Sequence, residues 1–271
     1  MDALSHHWVL GPLSRFAQMF AWLTPRSAHH VASRLFSLVF HSPWSRFFIG
    51  PYSWLHYRGT DYLHNFSPAS GRANYLSFQD FFTRKLRRPI VTNHGSIWPC
   101  EGVLCESGIV STGMKTIVKG DRRFVDVVFD EPAGGVPLGY QYSNIFLHNK
   151  NYHRIHSPTG GIIESIKRIP GKLFILRPYL NGQNPSFPAM FNERANLRIR
   201  DDKGNKWFIS IVGGPGVATI ELADGCAIGR RVRAGVELAI FRLGSTCCMA
   251  SPFANSLKVG SKVAAGMEYE D

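Results

Sequence analysis

Apolar residues in the first sixty positions recur every three or four residues. Side chains at this spacing share one face of an α-helix, so the pattern predicts two or three amphipathic helices before about residue 60. A connector rich in Ser, Pro, Gly and Asn then leads to a predicted short helix at residues 78–87. The positions that carry the helical spacing are Leu13, Phe16, Phe20, Leu23, Val31, Leu35 and Leu38.

Beyond about residue 98 the pattern changes to that of β-strands. Residues 201–205 (Asp-Asp-Lys-Gly-Asn) separate two strand-like segments and are typical of a hairpin turn. The sequence therefore predicts an α+β chain, with amphipathic helices in residues 1–75 and a mostly antiparallel β sandwich or barrel in residues 76–271. The predicted strands cover residues 162–169, 197–200, 207–211, 217–222 and 236–242.

The predicted N-terminal helices combine apolar and basic residues, among them Arg15, Arg26, Arg34 and Arg46. Such helices suit the interface of an anionic membrane, but the same apolar faces would also suit packing on the rest of the protein. A membrane-spanning helix needs about 20 apolar residues. The apolar run between Arg15 and Arg26 is shorter, so we expect no span, and the first residues lack the plan of a signal peptide.

The net charge of the chain restricts the kinds of partner it can bind. The chain of 271 residues has 31 Lys and Arg against 19 Asp and Glu, a formal charge of +12. This excess indicates an anionic partner, which charge alone leaves open among nucleic acid, a membrane surface and an acidic substrate. No base-reading motif supports nucleic acid.

The 5 cysteines form no Cys-x-x-Cys pair, which argues against a zinc ribbon or a disulfide framework and favours a reducing compartment.

Residues 152–158 (Tyr-His-Arg-Ile-His-Ser-Pro) are the most informative cluster. His153 and His156 have the spacing of metal ligands, but no nearby Cys or acid completes a set, so we expect no metal. The alternative for both imidazoles is a hydrogen bond to a backbone carbonyl. Arg154 between them predicts contact with an anion, a carboxylate or a phosphate, because a guanidinium binds either with two parallel hydrogen bonds.

Gly244-Ser245 and Glu101 indicate a function only when they are considered together with the other motifs. Gly244-Ser245 is ordinarily a turn, yet a small Gly leaves its carbonyl open to attack by the Ser245 hydroxyl, with a histidine to take the proton. Glu101 stands beside a turn and would ordinarily be a solvated carboxylate.

Seven short motifs in this order resemble the phosphatidylserine decarboxylase family over most of the chain. Each motif is weak alone, and their order is specific. They are Phe81-Phe82-Thr83-Arg84 with Arg88-Pro89, Pro99-x-Glu101-Gly102, Tyr152-His153-Arg154-x-His156-x-Pro158, Pro170-Gly171-x-Leu173-Phe174, Asn192-Glu193-Arg194, Val212-Gly213-Gly214 and Leu243-Gly244-Ser245-Thr246.

The resemblance implies a proenzyme that cuts itself between Gly244 and Ser245, releasing a small chain of residues 245–271. It implies that Ser245 becomes a covalent pyruvoyl group, the cofactor of decarboxylation. Glu101, His156 and Ser245 match the family's acid, base and nucleophile, arranged as in serine hydrolases. His153 matches a residue of the later decarboxylation step, near the substrate carboxylate or as the acid that reprotonates the product. Arg154 is expected to bind substrate.

The substrate that the resemblance implies is phosphatidylserine and the product is phosphatidylethanolamine. An anionic membrane surface is then the expected partner, since basic interfacial helices would dock there. We expect a homodimer, no nucleic acid, and a peripheral location on the cytoplasmic face of the inner cell membrane.

The chain departs from the family at two positions near the predicted site. Glu101 stands where an aspartate is usual, and Asn151 stands where an aspartate usually precedes the Tyr-His-Arg run. Two alternatives therefore stay open. One is a related decarboxylase of a free amino acid or another amine metabolite, and the other is a lipid-binding paralogue that never cleaves.

Overall fold

The computed structural model describes residues 19, 23–92, 95–111, 124–180, 184–215, 220–242 and 245–269. Several predictions lie outside these residues. They concern the helical pattern at Leu13, Phe16 and Phe20, the start of the strand at 217–222, and Gly244 on one side of the predicted cleavage bond.

The N-terminal region is helical, as predicted. Helix α1 spans Arg26–His41, a 3-10 turn follows at Pro43–Phe48, and α2 spans Ile49–Tyr57. On α1 the polar Ser33 and Ser37 are buried. The apolar Leu35 and Leu38, which the spacing placed on one face, are 61% and 68% exposed. The helix therefore presents its apolar side outward.

An aromatic cluster joins these helices to the rest of the chain. A short 3-10 turn at Tyr62–Asn65 and a two-stranded ribbon lead into helix α3, Phe78–Phe82. Ser77 caps α3, because its hydroxyl accepts a hydrogen bond from the Asp80 N–H at 3.2 Å. Tyr57, Phe78, Phe81 and Phe82 form a small buried core here. The ribbon pairs β1, Phe66–Ser67, with β2, Lys85–Leu86.

The body is one antiparallel sheet of eight strands. A separate sheet of three strands is made by β5 (Arg154–His156), β11 (Glu237–Ile240) and β9 (Glu221–Leu222), with β11 in the middle. The large sheet contains, from edge to edge, β10 (Arg231–Val232), β6 (Gly161–Ile169), β7 (Arg194–Arg200), β8 (Lys206–Gly213), β12 (Ser245–Ser251), β4 (Gln141–Leu147), β3 (Gly102–Ile109) and β13 (Lys262–Val263).

The two faces of the large sheet carry separate cores. Alternation along β12 directs Cys247 to the core that includes Ile155 and Leu238 of the small sheet. Cys248 faces the opposite core, which includes helix α4, Phe124–Phe129, and helix α5, Phe187–Phe191. A final 3-10 turn covers Pro178–Leu180. Ser245 lies two residues before Cys247, so its side chain faces the small sheet.

The predicted α+β class is confirmed, and strands lie in the predicted segments in the same order, with Glu221–Leu222 as the described strand of segment 217–222. Residues 162–169 lie in β6, and the turn at 201–205 joins β7 to β8. No helix in the described ranges is long and apolar enough to cross a bilayer. The division at residue 75 stays a prediction, since Phe40 of α1 packs 5.2 Å from the Phe78 ring of α3 across it.

Candidate active site

Ser245 begins β12 in the middle of the large sheet. It pairs with Leu147 of β4 on one side and with Gly213 of β8 on the other. The residue is fully buried, and its Oγ has no hydrogen-bond partner among the described residues. Two backbone ladders thus fix the residue, while the hydroxyl remains available for chemistry.

His153 lies in the segment just before β5. Its Nδ1–H donates to the Asn151 carbonyl at 2.8 Å, and its buried Nε2 has no partner in the described part of the chain. Because a carbonyl only accepts, Nδ1 carries the proton and Nε2 carries the lone pair. Burial, with the nearby positive charge of Arg84, lowers the pKa of His153 to about 3, so the ring is neutral. The Phe82 ring packs 3.9 Å from the imidazole.

A backbone hydrogen bond ties His153 to the segment that leads to Ser245. The His153 carbonyl accepts a hydrogen bond from the Phe241 N–H at 2.9 Å. Phe241 precedes Ser245 by four residues, a separation that spans at most about 14 Å when extended. Gln79 of α3 reaches the same segment, since its Nε2 donates to the Arg242 carbonyl at 2.9 Å. Leu243 and Gly244 lie outside the described residues.

His156, at the end of β5, is held at both ring nitrogens. Nδ1–H donates to the Gly235 carbonyl at 2.8 Å, and Nε2 accepts from the Tyr152 hydroxyl at 3.0 Å. The Tyr152 ring stacks on the imidazole with centroids 5.6 Å apart. Burial lowers the pKa of His156, which favours the neutral form of this ring.

Glu101 is half-buried and binds groups other than His156. Its Oε1 accepts from Asn151 Nδ2 at 2.5 Å, and its Oε2 accepts from the Tyr62 hydroxyl at 2.8 Å. Both nitrogens of His156 already have other partners. The hydrogen bonds among described residues therefore do not join Glu101 to His156 as the serine-hydrolase pattern predicts.

Arg84 is a buried cation beside this group. Its Nη2 donates to the carbonyls of Lys150 and Asn151 at 2.8 and 2.9 Å, and to the Tyr57 and Tyr62 hydroxyls at 3.3 Å. Aromatic rings surround its guanidinium, the nearest centroid, that of Phe66, lying 4.8 Å away. Arg84 therefore attaches the segment just before the two histidines to the N-terminal aromatic cluster.

Arg154 has its three guanidinium nitrogens engaged within the protein. Nη1 pairs with Glu237 at 2.6 Å, Nη2 donates to the Thr83 carbonyl at 2.7 Å, and Nε donates to the carbonyls of Thr83 and Arg84 at 3.0 and 3.1 Å. The residue is 2% exposed. These contacts tie the end of α3 to the small sheet, so they favour a positioning role, and substrate binding by Arg154 stays a prediction.

Three contributors had no role in the sequence interpretation. Tyr152 and Arg84 lie within the motifs that carry the family resemblance, and this position is the sequence signal for their part in the site. Tyr62 had no signal, because its contact with Glu101 joins residues 39 positions apart. As for metals, the described residues contain no group of three or more His, Cys, Asp or Glu side chains able to hold one.

Comparison with known proteins agrees with the motifs. The family model described as phosphatidylserine decarboxylase matches residues 78–269. A phosphatidylserine decarboxylase proenzyme of Bordetella petrii is 30% identical over 196 residues, covering 64% of this chain and 67% of that protein. A proenzyme of the same name from Shewanella denitrificans is 30% identical over 203 residues, covering 65% and 68%.

The chain spans about two thirds of the length of these relatives. The matched region runs from α3 to the segment after β13 and contains Glu101, both histidines and Ser245. Since the family model covers more than half of the chain, this chain belongs to the phosphatidylserine decarboxylase family.

Proposed function

We propose that this chain cuts itself between Gly244 and Ser245 and, with the pyruvoyl group so formed, decarboxylates phosphatidylserine to phosphatidylethanolamine. The observation that carries the proposal is that Ser245 Oγ and His153 Nε2 are among the buried polar atoms without a hydrogen-bond partner in the described residues. Leaving such a group unsatisfied costs about 1–3 kcal/mol. A catalytic role is a reason for a protein to keep a buried polar group unpaired despite this cost.

The self-cleavage begins when the Ser245 hydroxyl gives its proton to a histidine and Oγ attacks the Gly244 carbonyl carbon. The peptide C–N bond breaks, an ester forms, and the new amine takes the proton from the imidazole. A base then removes the Ser245 α-proton, and the Gly244 carboxylate leaves, which produces dehydroalanine. Water hydrolyses its tautomer, ammonia departs, and residues 245–271 begin with a pyruvoyl group.

The unpartnered ring nitrogen supports His153 as the acceptor of the Ser245 proton. Its neutral Nε2 holds a free lone pair, whereas the lone pair of His156 Nε2 is occupied by the Tyr152 hydroxyl. In this assignment His156 and Tyr152 have a structural role beside the site and take no proton. The resemblance instead gives the base role to His156, and variants of the two residues distinguish these assignments.

The surroundings of Ser245 suit a pyruvoyl group. Ladders to β4 and β8 hold the residue on both sides, and the Thr246 hydroxyl donates to the Ile145 carbonyl at 3.1 Å, so the new chain end stays in place after the cut. The group supplies a ketone that reacts with the substrate amine and accepts the electron pair that stays behind when CO2 leaves. His153 Nε2, shielded from water, is the atom we assign to hold the proton returned to the product.

The exposed apolar residues of the N-terminal helices support docking on an anionic membrane. Arg26, Arg34, Arg46 and Arg58 are exposed beside them, and no Asp or Glu lies between residues 26 and 60. An aromatic and basic surface of this kind inserts at lipid headgroups. We propose peripheral binding at the cytoplasmic face of the inner membrane. The exposed apolar residues include Leu35, Leu38, Trp44, Phe47, Trp54 and Leu55.

Denatured intact mass tests the self-cleavage. Wild type is expected as two chains split after Gly244, with the smaller one blocked by a pyruvoyl group, while Ser245→Ala stays whole. His153→Ala is expected to stay whole as well. Cleavage of His153→Ala together with an intact His156→Ala would return the base role to His156. An intact wild type would favour the non-cleaving lipid-binding paralogue, for which the absent Glu101–His156 bond is the supporting observation.

Release of CO2 then tests the substrate. Phosphatidylserine in vesicles is expected to react and free serine is not; the reverse result would favour a decarboxylase of soluble amines. Trp54→Ser, with a side chain 63% exposed in wild type, is expected to weaken co-sedimentation with anionic vesicles without changing self-cleavage. A homodimer is a further proposal, tested by the mass of the native protein.

A further inference from the structure

A groove lies at the end of the large sheet where β7 turns into β8. Its volume is about 1050 Å³, and its walls include the turn at 201–203, residues 230–234 around β10, and residues 90–92. Small-molecule sites in proteins typically have volumes of roughly 300–1,000 Å³. The groove is therefore large enough to hold an organic molecule.

The groove is separate from the candidate active site. Strand β8 begins at Lys206, just after the turn that lines the groove, and ends at Gly213, which pairs with Ser245. Because a strand rises about 3.3 Å per residue, the two ends of β8 lie about 23 Å apart. None of the lining residues is one of those assigned to the site around Ser245.

The acidic side chains of the groove are already bound within the protein. Asp201 is 8% exposed, and its carboxylate accepts four hydrogen bonds from its own turn and from Trp207. Asp202 pairs with Arg231 Nη1 at 2.6 Å. The charged side chains of the lining are Lys203, Arg230, Arg231 and Arg233 against Asp201 and Asp202. The lining therefore carries a net positive charge.

Three of these cations are left without a carboxylate. Lys203, Arg230 and Arg233 are exposed, and none of them forms an ion pair with an acidic side chain in the described part of the chain. The Lys203 ammonium instead lies 5.8 Å from the centre of the Phe253 ring. A guanidinium binds the oxygens of a phosphate with two parallel hydrogen bonds. Three unpaired cations match the charge of a diphosphate.

The backbone holds the arginine segment in place. Val232 of β10 pairs with Gly161 of β6 and is 4% exposed, so alternation turns the side chains of its two neighbours outward. The Gly229 N–H donates to the Ile163 carbonyl at 2.8 Å just before this segment. The charged side chains thus project from an ordered backbone, which lowers the entropy that binding a ligand would cost.

The strands place the groove far from helix α1. His30 of α1 lies 3.4 Å from the Glu193 carboxylate and 3.2 Å from the Gly171 carbonyl oxygen. Glu193 directly precedes β7, and Gly171 follows the end of β6, whereas the groove lies at the opposite ends of both strands. On the proposed function, in which the N-terminal helices dock on a membrane, the groove is therefore reached from the aqueous side.

We propose that this groove binds a soluble organic diphosphate. Arg230, Arg233 and Lys203 bind the phosphate oxygens, and the apolar part of the lining, which includes Ile90 and Phe253, contacts the organic part of the ligand. The choice of a soluble ligand rests on the proposed membrane docking. The choice of a diphosphate rests on the charge of the groove alone.

The test is calorimetric titration of uncut Ser245→Ala with adenosine diphosphate. Adding Arg230→Gln or Arg233→Gln is expected to weaken binding about tenfold each, since hydrogen bonds to charged groups have effects of this order. Arg72→Gln removes the same charge at an exposed position outside the groove and should match the parent. Absence of binding, or equal weakening by Arg72→Gln and the groove variants, would overturn the inference.

Two further titrations identify the source of the phosphate. Inorganic pyrophosphate is expected to bind about tenfold more weakly than adenosine diphosphate, because it buries no apolar surface. Equal affinities would refute an organic ligand. Co-sedimentation with phosphatidylglycerol vesicles is expected to be the same for the parent and for Arg230→Gln with Arg233→Gln, and its loss would show that the groove binds lipid headgroups instead. If the parent binds no vesicles, the proposed docking fails, and the calorimetric titrations still decide whether the groove binds a diphosphate.

Discussion

Asn192 offers the sharpest test of how the fold supports the reactive serine. The residue is fully buried, its Oδ1 accepts from the Phe174 N–H at 2.8 Å, and its Nδ2 donates to the carbonyls of Phe174 and Gly213 at 2.9 and 2.7 Å. Gly213 is the residue of β8 that pairs with Ser245. Asn192→Asp keeps the shape but replaces both N–H donors with an oxygen.

The magnitude follows from the two carbonyls that lose their donor. Each buried unsatisfied group costs about 1–3 kcal/mol, so Asn192→Asp is expected to lose about 2–6 kcal/mol of unfolding free energy. That is a large part of the roughly 5–15 kcal/mol typical of a folded domain. The new carboxylate would also face two carbonyl oxygens, so the loss should be greater at pH 8 than at a pH where the Asp is protonated.

Urea unfolding in the Ser245→Ala background measures this loss without interference from self-cleavage. Asn65→Asp is the matched control, and we expect it to stay within about 0.5 kcal/mol of its parent because the site is exposed. A loss below about 1 kcal/mol for Asn192→Asp would refute the reasoning, since it would mean that the carbonyls of Phe174 and Gly213 find other donors at little cost.

Three further predictions concern stability in the same uncut background, each followed by thermal unfolding. Burial raises the pKa of Glu106 above its unfolded value, so the stability of the Ser245→Ala parent should fall as pH rises through that range, and adding Glu106→Gln should raise the melting temperature at pH 8 but not at pH 4. Burial lowers the pKa of His153 to about 3, so the same parent should lose stability as pH falls from about 6.5 toward 3, and adding His153→Gln should reduce that loss. Gly171→Ala should be strongly destabilising because its Cβ would lie 2.3 Å from the Asn192 carbonyl carbon, whereas Gly225→Ala, with nothing within 4 Å, should be nearly neutral.

Hydrophobic patterning predicted the elements well where contacts are local. The alternation at 162–169 became β6, and the turn at 201–205 formed because Asp201 Oδ1 accepts from the N–H groups of Lys203 and Asn205, at 2.9 and 2.8 Å. The spacing of Leu35 and Leu38 predicted a helix but left open which face would be buried. Packing buried Ser33 and Ser37 instead, because the neighbouring helices and turns meet α1 on that side.

By itself, the sequence determined the class of the fold and the family, and it predicted the cleavage bond and the residues that act on it. Motifs carry this information because they are runs of neighbours in the chain. Only the tertiary structure decided which residues form hydrogen bonds with one another. Glu101 meets Tyr62 and Asn151, and His156 meets Gly235, through contacts that span 39, 50 and 79 positions. Such contacts depend on how strands and helices pack, and no local pattern encodes that arrangement.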